Sequence, residues 1–296
     1  MASAELRDTR RRIRSVQATQ KITRAMELIA ASRIPRASAR VIASKPYTQK
    51  LIEVIQNLGV AAAGQSHLLL AKRGVKRVGV LVVTSDRGLA GAYSSTIIRM
   101  AEQRIIDLRR EGKDIRIFAV GKKAQGYFRY RGYRLERSFL SVTDTPGYGD
   151  ARAIADAVMG AFASGDIDSV EAFFTRFQSS MTQVASHYDL LPIEPPAGAP
   201  ATSASYEYEP SPDEILDRLL PRYVEAIVFN MLLEASASEH SARRRAMKAA
   251  TDNADELIRV LTVSANRARQ AEITTEISEI VGGAEALAGS RARASQ

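Results

Sequence analysis

The chain has 296 residues and a net charge of +9, from 42 Lys and Arg against 33 Asp and Glu. It contains no cysteine, which excludes disulfides, thiolate chemistry and Cys-based metal sites. No apolar run approaches the ~18 residues needed to span a bilayer, and no secretory leader is expected before the first helix. A cytosolic chain of one or two domains is expected, reaching a membrane only through partners.

Residues 4–34 read as a helix, with Leu6, Ile13, Val16, Ile22, Met26 and Ile29 on one stripe. It is basic: Arg7, Arg10, Arg11, Arg12, Arg14, Lys21, Arg24 and Arg33 against Glu5, Asp8 and Glu27. Two readings of these cations stay open. They would serve phosphates in a nucleic-acid binder, or form the solvated or acid-facing side of a coiled coil. No helix-turn-helix, zinc or RNA-binding signature accompanies them, and tryptophan is absent. The helix is expected to run past Pro46 to about Asn57, with a kink or break at Pro35. Residues 61–66 (AAAGQS) and the basic connector Lys72–Lys76 follow.

Val78–Thr84 (VGVLVVT) is an apolar, β-branched run, the mark of a strand buried on both faces. Ser85–Gly91 reads as a loop, Ala92–Gly112 as an amphipathic helix, Asp114–Val120 as a strand and Lys122–Arg131 as a short helix. Asp144–Asp150 is turn chemistry. Ala151–Ser164 reads as a helix, Val170–Phe177 and Val184–Ile193 as strands. This alternation predicts a Rossmann-like open α/β domain. A Pro-, Ala- and Ser-rich linker leads to Ser211-Pro212-Asp213-Glu214, a helix start with Ser as N-cap, Pro at the first position and Glu reaching back.

The last helix has no proline from Glu239 to Leu287. Its stripe is Met247, Ala250, Ala254, Leu257, Leu261, Ala265, Ala268, Ile273, Ile277 and Ile280. A helix this long needs a packing partner. Its mate is the N-terminal helix, in a long antiparallel coiled coil, although neither stripe is a strict heptad and ordinary packing in a helical domain remains the alternative. The fold class is therefore α/β with a terminal coiled coil. The expected parts are 1–58 (N-terminal helix), 76–195 (α/β domain), 196–212 (linker), 213–288 (C-terminal helix, kinked at Pro221) and 289–296 (disordered tail).

Catalytic motifs are thin. Gly88 and Gly91 give G-x-x-G rather than a dinucleotide fingerprint, and Gly121-Lys122-Lys123 lacks the Ser or Thr of a phosphate loop. Asp86 and Arg87 read as pairing residues. His67, His187 and His240 are scattered, and the acids Asp252, Asp255 and Glu256 lie on a helix without a metal-binding loop. No cofactor and no metal are expected.

Three separated stretches carry a resemblance: Arg11–Ser32 (RRIRSVQATQKITRAMELIAAS), Ser85–Tyr93 (SDRGLAGAY), and the pair Ala246–Ala254 (AMKAATDNA) and Arg269–Ala284 (RQAEITTEISEIVGGA). In this order they resemble the gamma subunit of F-type ATP synthase. The resemblance implies a non-catalytic rotor, one copy inside a ring of three alpha and three beta subunits. The α/β domain would rest on the epsilon subunit and the membrane ring of proton-carrying subunits, at the cytoplasmic face of the cell membrane, coupling proton flow to ATP synthesis or hydrolysis at the head. It also implies that Arg269 and Gln270, with Thr274 and Glu276, meet a beta subunit, and adds Met26 and Arg243 to that surface. If Met26 lies beside Arg243, Ile13 faces Glu256–Leu257 and the mate runs out near Ala265–Gln270. Ile273, Ile277, Ile280 and Val281 would then stand exposed. The competing functions are a basic coiled-coil nucleic-acid or scaffold protein, and a nucleotide-dependent enzyme using the central sheet.

Overall fold

The computed structural model describes residues 2–61, 67–194, 209 and 211–294. The order is α1 (Ala2–Ala61), a 3-10 turn (Leu68–Leu70), β1 (Arg77–Val83), α2 (Tyr93–Arg110), β2 (Asp114–Val120), α3 (Lys122–Tyr130) and β3 (Leu135–Phe139). Then come α4 (Tyr148–Ala163), β4 (Ser169–Phe177), β5 (Gln183–Leu191) and α5 (Pro212–Ala294). Two compact units result, Ile29–Ala246 and Met1–Leu28 with Met247–Gln296.

The first unit holds a five-stranded sheet in the order β3-β2-β1-β4-β5. β1 to β4 are parallel, and β5 joins β4 antiparallel. β1 lies at the centre, which explains its unbroken apolar sequence. Val78, Val80 and Val82 pack with Ile97, Ile105 and Phe128 from α2 and α3. Leu81 and Val83 point the other way, into a core with Ile154, Val158, Leu220 and Val224 from α4 and α5. Gly79 is small because a Cβ there would come within 2.9 Å of Ile167. Within the same unit Val41 of α1 packs on Leu233 and Ala237 of α5, and Asn230 donates to Thr48 at 2.6 Å. Ser211 caps α5 by accepting from the Glu214 amide at 3.3 Å.

Some boundaries differ from those read in the sequence. α1 runs through Pro35 and Pro46, and α5 through Pro221, without a break. A proline costs a helix about 3 kcal/mol. Its neighbours Ile34, Leu220, Tyr223 and Val224 are buried, and burial of that kind offsets the cost at roughly 1.5–3 kcal/mol per large side chain. α5 also continues to Ala294, past the point where a tail was expected from 289. The linker 196–212 lies almost wholly outside the described residues. β3 (LERSF) is a charged edge strand whose pattern carries no apolar signal.

The second unit is an antiparallel pair of helices. Thr23 Oγ1 lies 2.8 Å from Thr251 Oγ1, and Gln20 bonds Asp255. The paired residue numbers therefore total 274–275. Most buried and half-buried positions repeat by threes and fours, 6, 9, 13, 16, 20 and 23 on α1 and 247, 251, 254, 258, 261, 265, 268 and 272 on α5, with 26, 27 and 250 half-buried beside them. In this register Leu6 faces Ala268, Thr9 faces Ala265, Ile13 faces Leu261 and Val16 faces Ile258. The expected register was thus five or so residues short: Ile13 opposes Leu261 rather than Glu256–Leu257, and Met26 opposes Lys248. The error came from placing Met26 beside Arg243, which sets the sum of facing positions at 269 instead of 274–275. Thr9, Gln20, Thr23 and Thr251 occupy the seam, while Ile22, Leu28, Leu257, Val260 and Val263 point outward, 44–63% exposed.

Paired cysteines test this register. Thr23→Cys with Thr251→Cys should cross-link within minutes of mild oxidation, because their side-chain oxygens already meet across the seam at 2.8 Å. Ile13→Cys with Glu256→Cys should not. Efficient bridging of the second pair alone would reject the seam.

Candidate partner-binding surface

From Ile273 to Ala284 every residue of α5 is exposed. The register accounts for this, since the first residues of α1 oppose position 272. Ile273, Ile277, Ile280 and Val281 are 47–72% exposed, as the sequence led one to expect. Successive residues turn by about 100°, so two neighbouring stripes run along this segment. One is Arg269, Ile273, Glu276 and Ile280; the other is Gln270, Thr274, Ile277 and Val281. Arg269, Gln270, Thr274 and Glu276 are all exposed. The Thr274 hydroxyl donates to the Gln270 carbonyl at 2.9 Å, and Ser278 donates to the Thr274 carbonyl at 2.9 Å. These hydroxyls spend their protons on the helix and keep only lone pairs for a partner. Met26 is half-buried on α1.

Arg243 occupies a different environment from the surface position expected of it. It is only 7% exposed. Its guanidinium bonds Glu239 at 2.5 Å and the Gly88 carbonyl at 3.3 and 3.4 Å. It thereby ties the Ser85–Tyr93 loop to α5, helped by the Tyr93 hydroxyl, which donates to the Ala235 carbonyl at 3.1 Å. Burial pushes the Glu239 carboxyl above the usual range, against the pull of Arg243. Nearby, Arg33 grips both oxygens of Asp144 at 2.7 and 2.6 Å. Burial opposes ionisation of Asp144, yet Arg33, His240 and Arg87 hold it below the ordinary carboxylate pKa. Burial also lowers the His240 pKa, so its ring is neutral near pH 7. Arg33 and Asp144 stand 111 residues apart, and neither belongs to a motif, so no sequence signal joins them.

The Ser85–Gly91 loop is where a phosphate site would form. The first amides of α3 are already used. Lys122 N donates to Asp86 at 3.1 Å, Lys123 N to the Ser85 carbonyl at 3.1 Å and Ala124 N to Thr84 at 2.9 Å. Asp86 also accepts from the Thr143 amide and hydroxyl at 3.2 and 3.0 Å. The donors that would cradle a phosphate are spent on the protein itself. Gly121, at φ +89°, is required because a Cβ would meet the Thr84 carbonyl at 2.7 Å. In the Ser85–Gly91 loop itself, Gly91 takes a positive φ of +58°, a turn conformation that favours glycine. Among the described residues no helix is long and apolar enough to cross a membrane.

Residues 5–287 match the family model described as ATP synthase. The chain is 49% identical to an ATP synthase gamma chain of Parafrankia, over 97% of this chain and 99% of that one. It is 46% identical to that of Mycolicibacterium smegmatis, over 98% and 100%. Among solved structures it is similar in fold to a chain of the Euglena gracilis mitochondrial ATP synthase, at a TM-score of 0.67 and 16% identity, covering 96% of this chain and 95% of that one. A chain of the Tetrahymena thermophila mitochondrial ATP synthase central stalk and c-ring structure aligns at a TM-score of 0.60 and 23% identity, over 77% of this chain and 99% of that one. On the strength of near-complete matches at almost half identity, the chain belongs to the ATP synthase gamma chain family.

Proposed function

We propose that the chain is the central-stalk rotor of an F-type ATP synthase. One copy turns inside a head of three alpha and three beta subunits. The α/β unit contacts the epsilon subunit and the membrane ring, at the cytoplasmic face of the cell membrane. The chain is peripheral there and holds no catalytic group. Ion flow turns the ring, the chain follows, and its asymmetric surface takes each catalytic site through binding, reaction and release in turn.

The observation that supports this best is the inverted helical pair. The seam mixes aliphatics such as Ile13, Val16, Ile258 and Leu261 with Thr9, Gln20, Thr23 and Thr251, while Ile22, Leu28, Leu257, Val260, Ile273 and Ile280 face outward. A free-standing coiled coil hides its large aliphatics and shows charge; contiguous apolar surface of this kind marks a partner that encloses it. A nucleic-acid binder has no use for it. Nor does torque transmission need strong fixed contacts, since each site must be released after every step.

Two measurements on purified protein test the reading. The isolated chain should neither hydrolyse ATP nor bind it at micromolar concentration, because the α3 amides are spent. Mixed with alpha and beta subunits, it should appear in native mass spectra once per three of each. Micromolar ATP binding that Lys122→Ala or Asp86→Asn abolishes, or more than one copy per head, would overturn it.

A further inference from the structure

β4 and β5 bring together three side chains that no part of the rotor reading uses. Glu171 on β4 pairs in register with Asp189 on β5, and His187 follows two residues away on the same face. His187 Nε2 lies 3.3 Å from Glu171 Oε2 and 3.3 Å from Asp189 Oδ1. One ligand atom from each residue falls within 4.8 Å of the others. A tetrahedron with metal–ligand bonds of about 2.0–2.1 Å has edges of about 3.3 Å. Both measured approaches equal that edge.

The surroundings suit a metal. Glu171 is 6% exposed, and Arg104 holds both its oxygens at 2.8 and 2.7 Å. That grip fixes the carboxylate as an outer shell fixes a metal ligand. The imidazole lies against Phe173, with ring centroids 5.0 Å apart, which limits its rotation. Asp189 is 70% exposed, so it can swing onto an ion and leave room for water in the remaining position. The two carboxylates Glu171 and Asp189 face one arginine, Arg104, since Glu111 is paired by Lys113 at 2.7 Å; one negative charge is left over for a cation. The ladder between β4 and β5 is irregular at Val170/Glu171, so Leu190 and Leu191 both enter the core, directly beside the cluster. Such irregularities re-aim side chains next to sites.

We infer that Glu171, His187 and Asp189 form a binding site for one divalent first-row transition metal, with Zn²⁺ as its natural probe, and that the ion clamps the edge strand β5 to β4. One imidazole and two carboxylates is a donor set that such metals accept and that Ca²⁺ and Mg²⁺, which prefer oxygen alone, do not. The charged groups facing His187 are Glu171, Asp189 and Arg104.

The test is titration of the full chain with Zn²⁺ alone, in competition with a chromogenic chelator, at pH 7.5. One saturable site is expected, and the thermal midpoint should rise with Zn²⁺ and not with Mg²⁺. His187→Ala and Asp189→Asn should each weaken binding by about 10–100-fold or more while leaving the far-ultraviolet circular dichroism unchanged. His67→Ala, beside Asp217 elsewhere in the chain, should bind as the parent does. Co²⁺ should give d–d absorption near 550–650 nm of roughly tetrahedral strength, lost in His187→Ala. Absence of a saturable site, or a site that survives His187→Ala, would overturn the inference.

Discussion

Replacing Arg269 and Gln270 together with Ala is expected to leave the chain able to assemble with alpha and beta subunits and to lower steady-state ATP turnover about tenfold or more. Both residues are exposed on the last paired turn of α5, just before its unpaired part. Being adjacent, they diverge by about 100° and can hold a loop between them. Arg supplies a fork of donors, and Gln supplies donors and an acceptor. A beta-subunit loop carrying carboxylates would complete them, each charge-assisted bond contributing roughly 1.5–3 kcal/mol. A contact made at one rotary angle acts on the barrier of one step, where about 1.4 kcal/mol is a factor of ten. Assembly should survive because it rests on the outward aliphatics along both helices. Thr274→Ala should have a smaller effect, since that hydroxyl already donates within the helix. Normal turnover in the double variant, or failure to assemble, would give these residues another role.

Arg243→Ala should destabilise the folded chain by about 3–5 kcal/mol, seen as a lower urea midpoint. Glu239 is 1% exposed, and Arg243 is the cation that bonds it. Removing one partner of a buried pair strands the other charge, and that loss commonly reaches this size. The Ser85–Tyr93 loop would also lose its tether at the Gly88 carbonyl. Replacing both members, Glu239→Leu with Arg243→Met, should recover most of the loss, because no buried charge remains. A single variant within about 1 kcal/mol of the parent, or a double variant no better than the single, would mean that the pair does not carry this burial.

Much of the α/β unit can be read from sequence because its strands are buried on both faces. β1 announces itself by eight consecutive residues without a charge after Arg77, and β2 and β4 are bounded by the turns that follow them. β3 escapes notice because an edge strand needs no apolar period. The helical pair was harder. Its seam carries Thr9, Gln20, Thr23 and Thr251 among aliphatics such as Ile13 and Leu261, while Ile22, Leu28, Leu257 and Val260 are outward, so the apolar stripes find most of the seam but do not fix its register. Arg269 and Gln270 are proposed to face a partner through the family's motif alone; nothing in their spacing singles them out. Arg243 shows the converse. Its role as an internal tether depends on Glu239 one helical turn away, which is visible in the sequence, and on Gly88, which is 155 residues distant and is not.

The central claim is that this chain turns within a ring, and single-molecule rotation tests it most directly. The alpha–beta head is fixed to a surface by its alpha and beta subunits, a bead is attached to a cysteine placed at the exposed Tyr130 on α3, and ATP is supplied. The account predicts rotation in one direction, in three equal steps per turn, with step rate rising with ATP concentration. ATP turnover by the same heads with the bead held at one angle, or drifting without direction, would contradict it.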